Sequence, residues 1–321
     1  LHRQAFLNVQ GNGASLVKIH THEGRYIFRW PFSEVASIRG SINYRNDRTV
    51  YLSTDYANLL NKNKYANSGG GKIEYVYDNT IKRGLNIQVG TRFKIFGELF
   101  QGLDSLLLAK NGENRFKSDL WVVGVDFRHY IKIHREIIWA NRFAASSSFG
   151  HQRLIYYMGG VDNWFLPQFN NAIRISPTEP YAYQTLATPM RGFFQNIRNG
   201  NNFAVINSEI RVPLFRYLFN RPMRSDFLNT FQIVGFGDIG TAWNGPNPYS
   251  SENALNTTVI GAPGNPITVI LENHKGPIVG GYGFGLRARI WGYFVRVDWA
   301  RGVEDRTIYD RLTYLSFSLD F

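Results

Sequence analysis

Apolar and polar residues alternate one by one through most of this chain, and several alternating stretches run past ten residues. A period of two places successive side chains on opposite faces of an extended strand, whereas a helix repeats every 3.6 residues. The pattern is cleanest late in the sequence. Ala204, Ile206, Ile210, Val212 and Leu214 oppose Asn207, Glu209 and Arg211. Phe231, Ile233, Ile239 and Trp243 oppose Thr230, Gln232 and Asp238. Ile278, Tyr282, Phe284, Leu286 and Ile290 oppose Arg287, Arg289 and a row of glycines, and Tyr293, Val295, Val297 and Trp299 oppose Arg296 and Asp298. At the end, Leu315, Phe317, Leu319 and Phe321 oppose Tyr314, Ser316, Ser318 and Asp320.

Noisier segments near 4–19, 25–39, 41–53, 72–81, 87–95, 121–128, 136–149 and 152–159 fit the same scheme. The expectation is about thirteen strands and no helix. Long polar connections such as Leu59–Gly71 and Asn244–Gly276 alternate with short ones such as His22-Glu23-Gly24.

Two all-β solutions compete, a soluble sandwich or propeller and a transmembrane barrel. Strands over 203–215 and 230–243 exceed the usual ~5–6 residues of globular strands and match the ~9–11 needed to cross a bilayer at a tilt. Charged residues also share one face of successive strands: Glu209 with Arg211, Arg287 with Arg289, Arg296 with Asp298. A barrel places that face in a polar lumen and its apolar face in lipid. The mean hydropathy of −0.26 is no objection, because alternation averages to a neutral value. The expected fold is therefore an all-β, antiparallel transmembrane barrel occupying 1–321, with a connection at 161–202 folded into its lumen.

The formal charge of +12 raises the question of nucleic acid, but Lys and Arg are spread along the whole length beside acids, which suits a charged lumen better. No nucleic-acid partner is expected. There are no cysteines, hence no disulfide, thiolate metal site or cysteine nucleophile. No Gly-x-Ser-x-Gly elbow is present. His129 and His134 have no third ligand in view. The string Gly281-Tyr282-Gly283-Phe284-Gly285 lies inside an alternating strand rather than before a helix, unlike a phosphate loop. The chain is expected to be no enzyme and to need no cofactor or metal. It begins Leu1-His2-Arg3 without Met or signal peptide, so a preceding segment, or whole domains, is expected upstream.

Within the 161–202 connection stands Met190-Arg191-Gly192-Phe193. An arginine at the tip of a loop folded back into a cavity can act as an anchor. Glu209 and Asp238 fall on the polar faces of the next two strands, and one guanidinium can serve two carboxylates through its fork of donors. Gly192 permits close backbone approach. The alternatives remain that Arg191 is solvated while the acids pair with Arg211 or Arg287.

Met190-Arg191-Gly192-Phe193 resembles the (Val/Ile)-Arg-Gly-(Phe/Tyr) loop of the outer membrane protein eighty-five superfamily, which includes BamA-like insertases, TamA, two-partner-secretion transporters and bacterial surface antigen barrels. Asn207–Pro213 is similar to its N-x-E-(L/F)-R-x-P strand, and Gly235–Trp243 resembles its F-x-D-x-G-x-x-W strand. Residues 281–286, 293–300 and the strand ending at Phe321 follow in the superfamily's order. The match covers 161–321, with Met190 a mild departure. The resemblance implies a barrel of about sixteen strands, of which this chain holds the C-terminal portion. It also implies that Arg191 pairs with acids in the lumen and that Leu315, Phe317, Leu319 and Phe321 form the outward row of a closing seam. It implies assembly, insertion or translocation of client polypeptides in a Gram-negative outer membrane. The partners would be lipopolysaccharide and phospholipid, secreted or client chains, and accessory envelope subunits. Alternatives are a secretion pore, a barrel anchoring an upstream enzyme, or a structural subunit of an envelope complex.

Overall fold

The computed structural model describes residues 2–9, 15–51, 62–103, 119–173, 175, 181–219, 223–250, 253, 257–260, 269–272 and 275–321. The chain is all-β. A 14-stranded antiparallel sheet runs in the order β1 (His2–Val9), β2 (Ser15–Pro31), β3 (Ala36–Tyr51), β4 (Lys64–Asp78), β6 (Ile87–Gly102), β7 (Leu120–His134), β8 (Ile137–Gly150), β12 (Asn202–Val212), β13 (Gln232–Trp243), β16 (Val279–Ile290), β17 (Tyr293–Glu304) and β18 (Thr307–Ile308). Short β5 (Ile81–Gly84) pairs with β6, and β19 (Leu312–Ser316) pairs with β17. Strands β14 (Thr257–Ile260) and β15 (Val269–Glu272) form a separate hairpin.

The chain divides into two compact units. In the first, which holds 1–75, 96–122 and 149–152, β2 and β3 pair over Val17↔Tyr51 to Pro31↔Ser37. The segment expected as one strand over 25–39 turns at 32–35, where the Phe32 amide donates to the Ala36 carbonyl. The strand expected near 4–19 is instead a hairpin, with 10–14 outside the described residues. Strand β4 begins at Lys64, inside what reads as a polar loop, because Asn67 and Gly69–Gly71 are accepted in a strand whose neighbours approach closely. A Cβ on Gly70 would lie 2.5 Å from the Asn43 side chain and 2.8 Å from the Leu99 carbonyl.

The second unit holds 76–95, 123–148 and 153–321, and here the alternation is realised side by side. Ile206, Ile210, Ile233, Ile239, Tyr282 and Phe284 are exposed, while Asn207, Glu209, Arg211, Gln232, Asp238, Arg287, Arg296 and Asp298 are buried. Polar side chains are thus inside and apolar ones outside, the inverse of a globular core and the arrangement of a lipid-facing barrel. Each strand β13, β16 and β17 has 12 residues, long enough to span a bilayer.

Two expectations fail in this unit. The segment Arg153–Met158 (β9) is not a member of the large sheet. It pairs with β10 (Tyr181–Leu186) and β11 (Arg198–Gly200) in a three-stranded sheet belonging to the long connection. The expected inward-folded connection is present, and together with β9, buried along its second half, it forms a folded insertion. Helices do occur: α1 (Leu214–Phe219) and α2 (Asp226–Thr230) link β12 to β13, so β12 ends at Val212 rather than Phe215. Arg216 on α1 pairs with Glu136 at 2.7 Å, which fixes that link against the β7–β8 turn.

Candidate functional site

Register explains where the motif loop can sit. Asn207 on β12 stands opposite Asp238 on β13, Asp238 opposite Gly281 on β16, and Gly281 opposite Gly302 on β17. An acid is thereby set beside two glycines on the inner wall. A Cβ on Gly281 would lie 1.9 Å from the Arg191 carbonyl oxygen, and one on Gly302 would meet the Phe193 ring at 2.4 Å and the Gly192 carbonyl oxygen at 2.6 Å. The loop backbone lies directly on this bare patch. Gly192 itself has φ +98° and its Cβ position is 2.5 Å from the Gly302 nitrogen, so both conformation and contact require glycine there.

Arg191 reaches both acids. Its Nε and Nη2 donate to the two oxygens of Asp238 at 2.7 Å each, and Nη1 donates to Glu209 Oε1 at 2.6 Å. The Arg191 amide adds a bond to Asp238 Oδ2 at 3.2 Å. All three residues are buried, with Arg191 1 % exposed. The guanidinium carbon also stands 3.7 Å from the centroid of the Phe236 ring, a stacked cation–π contact. The neighbours hold the acids in turn. Asn207 donates to Asp238 Oδ1 at 2.8 Å and to the Pro189 carbonyl at 2.9 Å, and Arg211 pairs with Glu209 at 2.8 Å. Glu209 therefore serves Arg191 and Arg211 together, while Arg287 pairs with Asp298 at 2.7 Å and Asp320 at 3.0 Å.

Apolar packing flanks the clamp. Met190 and Phe193 are buried in one cluster with Met158, Phe203, Val205 and Val279. Phe203 and Val205 lie on the inner wall, which is apolar at this level because the loop excludes water from it. Each such side chain contributes about 1.5–3 kcal/mol on burial.

Three anchors carry no local signal in the sequence. Tyr314 on β19 accepts from the Gly192 amide at 2.9 Å and donates to the Phe193 carbonyl at 2.8 Å. Arg198, fully buried at the far end of the insertion, pairs with Glu304 at 2.7 Å and donates to the Gly276 and Pro277 carbonyls. Tyr309 packs its ring 5.6 Å from that of Phe193 and donates to Glu304. That hydrogen bond, with burial added, pushes the Tyr309 hydroxyl up to about 12, so it remains a donor at any physiological pH. Tyr314→Phe deletes both bonds to the motif backbone and leaves the buried Gly192 N–H unpaired, while the Phe193 carbonyl keeps the Gly160 amide at 3.0 Å. The expected loss is about 1–3 kcal/mol, read as a lower urea midpoint for barrel unfolding in lipid vesicles.

The C-terminal row departs from expectation. Phe317 and Leu319 are exposed, and Leu315 faces Val297 in the β17–β19 register. Strand pairing stops at Ser316, however, and Phe321 turns inward instead of continuing the outward row. Its carbonyl accepts from Arg211 at 3.1 Å and its ring lies 5.0 Å from that guanidinium. The cause is Asp320, whose carboxylate is drawn to Arg287 and to Arg296, both at 3.0 Å. Among the described residues, the outer edge of β19 meets the insertion: the Phe165 amide donates to the Leu315 carbonyl at 2.8 Å, and Trp164 bridges Ser316.

A cavity of about 180 Å³ remains beside the clamp, lined by Arg128, Arg142, Asp162, Glu209, Arg296 and Asp320 among others. Arg128 and Arg142 both hold Asp126 at 2.8 Å. His129 and His134, weighed above as metal ligands, instead approach Thr91 at 2.8 Å and Tyr217 at 3.4 Å.

Among solved structures, the chain is similar to BamA from Haemophilus ducreyi lacking POTRA domains 1-3, with a TM-score of 0.53 and 13 % identity over 99 % of this chain and 57 % of that one. It is also similar to CdiB from Acinetobacter baumannii (TM-score 0.49, 12 % identity, 96 % of this chain and 43 % of that one) and to CdiB from Escherichia coli (0.47, 12 %, 98 % and 48 %). The chain spans about half the length of these proteins. No protein-family model and no curated protein matches the sequence. At such identity the likeness to BamA shows a shared barrel fold.

Proposed function

We propose that this chain is the barrel portion of an outer-membrane protein of the BamA-like superfamily that inserts or translocates other polypeptides. The observation that carries the reading is the Arg191 clamp: a loop tip bonded to acids on two successive strands, inside a barrel of the BamA fold. Such a clamp stores no chemical step. It fixes one wall of the barrel while the client's own folding supplies the free energy, so no nucleotide, cofactor or catalytic residue is required. The partners would be outer-membrane lipids, client polypeptides and accessory envelope subunits.

The experiment is Arg191→Glu in cells, alone and combined with Asp238→Arg, followed by surface level and client outer-membrane protein levels. Loss with the single change and partial recovery with the double supports the reading. An unchanged single variant overturns it.

The membrane side of the reading has its own test. Ile239 faces outward near the middle of β13 and is half exposed. Ile239→Arg should cost about 2–4 kcal/mol in a bilayer, the toll for a cation on the lipid face near the midplane, measured by urea unfolding in vesicles. On a face bathed in water the same change would cost next to nothing.

A further inference from the structure

A second segment of this unit, apart from the motif insertion, folds onto the inward-facing side chains. Strands β5 and β6 are joined by a turn at Leu85-Asn86, in which Asn86 adopts φ +61° and is 5 % exposed. Strand β6 stands four places from β13 in the sheet, with β7, β8 and β12 between. At ~4.8 Å per strand the path along the wall is roughly 19 Å. Asn86 nevertheless donates to Gln232 Oε1 on β13 at 3.1 Å, and Gln232 Nε2 donates to the Leu85 carbonyl at 2.8 Å. The Asn86 carbonyl accepts from Arg211 on β12 at 3.2 Å, and its amide side chain donates to Asp320 at 2.7 Å. Gln232, Arg211 and Asp320 all belong to the inward-facing set. The turn therefore reaches past β7 and β8 to the inner faces of β12 and β13.

An apolar layer adjoins the turn. Ile87, Tyr130, Ile138 and Ala140 are each no more than 2 % exposed and pack with Val89 and Phe321. A polar, hydrated lumen needs no such layer. A pore meant to stay dry does, since an apolar constriction resists the entry of ions by excluding water.

We propose that the Leu85-Asn86 turn is a floor of the lumen, latched by Asn86 to Gln232 and Arg211, a segment distinct from the motif loop although Arg211 also pairs with Glu209 of the clamp. This rests on the barrel reading above and deepens it. A client passing lengthwise must lift both the insertion and the floor, whereas a client entering sideways through the wall needs to lift neither.

The chain has no cysteine, so the latch can be tested by a unique thiol pair. The intact protein carrying Arg191→Ala, to loosen the insertion, with Asn86→Cys and Gln232→Cys, is bridged by a short cleavable bis-methanethiosulfonate linker and placed in planar bilayers. The bridged form should conduct little, and cleavage by reductant should raise conductance at least several-fold. Equal conductance before and after cleavage, whether high or low, overturns the floor. The parent protein is run alongside for heat-modifiable gel mobility and bilayer insertion. If it shows neither, the barrel reading itself has failed, an outcome distinct from a barrel whose floor does not gate.

Discussion

Arg191→Ala should lower the stability of the folded barrel by about 3–5 kcal/mol, the usual result of removing one partner from a buried, hydrogen-bonded ion pair. The size follows from what is left behind. Asp238 would lose both guanidinium bonds and keep Asn207 and the residue-191 amide, while Glu209 would keep Arg211. One negative charge in excess would then remain in a region closed to solvent, together with the space vacated under Phe236. Two readouts separate clamp from bulk packing. The urea midpoint in vesicles should fall, and the insertion should become sensitive to protease around Gly192. Arg191→Lys should recover little, because a single ammonium cannot form the two-pronged bond to Asp238 and still reach Glu209.

Gly281→Val should be comparably damaging, although it removes no interaction. Its first added atom would fall 1.9 Å from the Arg191 carbonyl oxygen, so the strand or the loop must move. Overpacking in a rigid interior costs about 1–3 kcal/mol and sometimes more. Displacement of the loop would also break the Arg191 bonds. Gly280→Ala is the matched control. Its Cβ would find only the Asp238 carbonyl oxygen, at 3.7 Å, an ordinary contact. Parallel unfolding and protease assays should show a large effect at 281 and almost none at 280. Equal effects would mean that strand flexibility, and not room for the loop, is what the glycines supply.

The division between lumen and lipid faces was legible because alternation has an unambiguous period, and Ile206, Glu209, Ile210 and Arg211 obey it residue by residue. The clamp was legible for a related reason: Glu209 and Asp238 lie on the face that a folded-back arginine must meet. Other parts carried weaker signals. Leu154–Met158 is an unbroken apolar run, the mark of a strand buried on both faces, and so belongs to the insertion rather than the wall. Leu214–Phe219 has apolar residues that satisfy either period, and packing against the β7–β8 turn decided for helix. Arg198 and Glu304 are separated by 106 positions, and nothing near either foretells the pair. The inward turn of Phe321 depends on Asp320 meeting Arg287 and Arg296, a three-body geometry invisible in an alternating pattern.

The most direct test is a double-mutant cycle between loop and strand. Arg191→Ala, Asp238→Asn and the pair are each unfolded in vesicles, and the coupling energy is taken from the four midpoints and slopes. Residues joined by the two 2.7 Å bonds seen here should couple strongly, by about 1.5–3 kcal/mol, toward the upper end of what contacting pairs show. Costs that simply add would mean that Arg191 does not rest on Asp238 in the working barrel, and that the loop is not held in the lumen by this clamp.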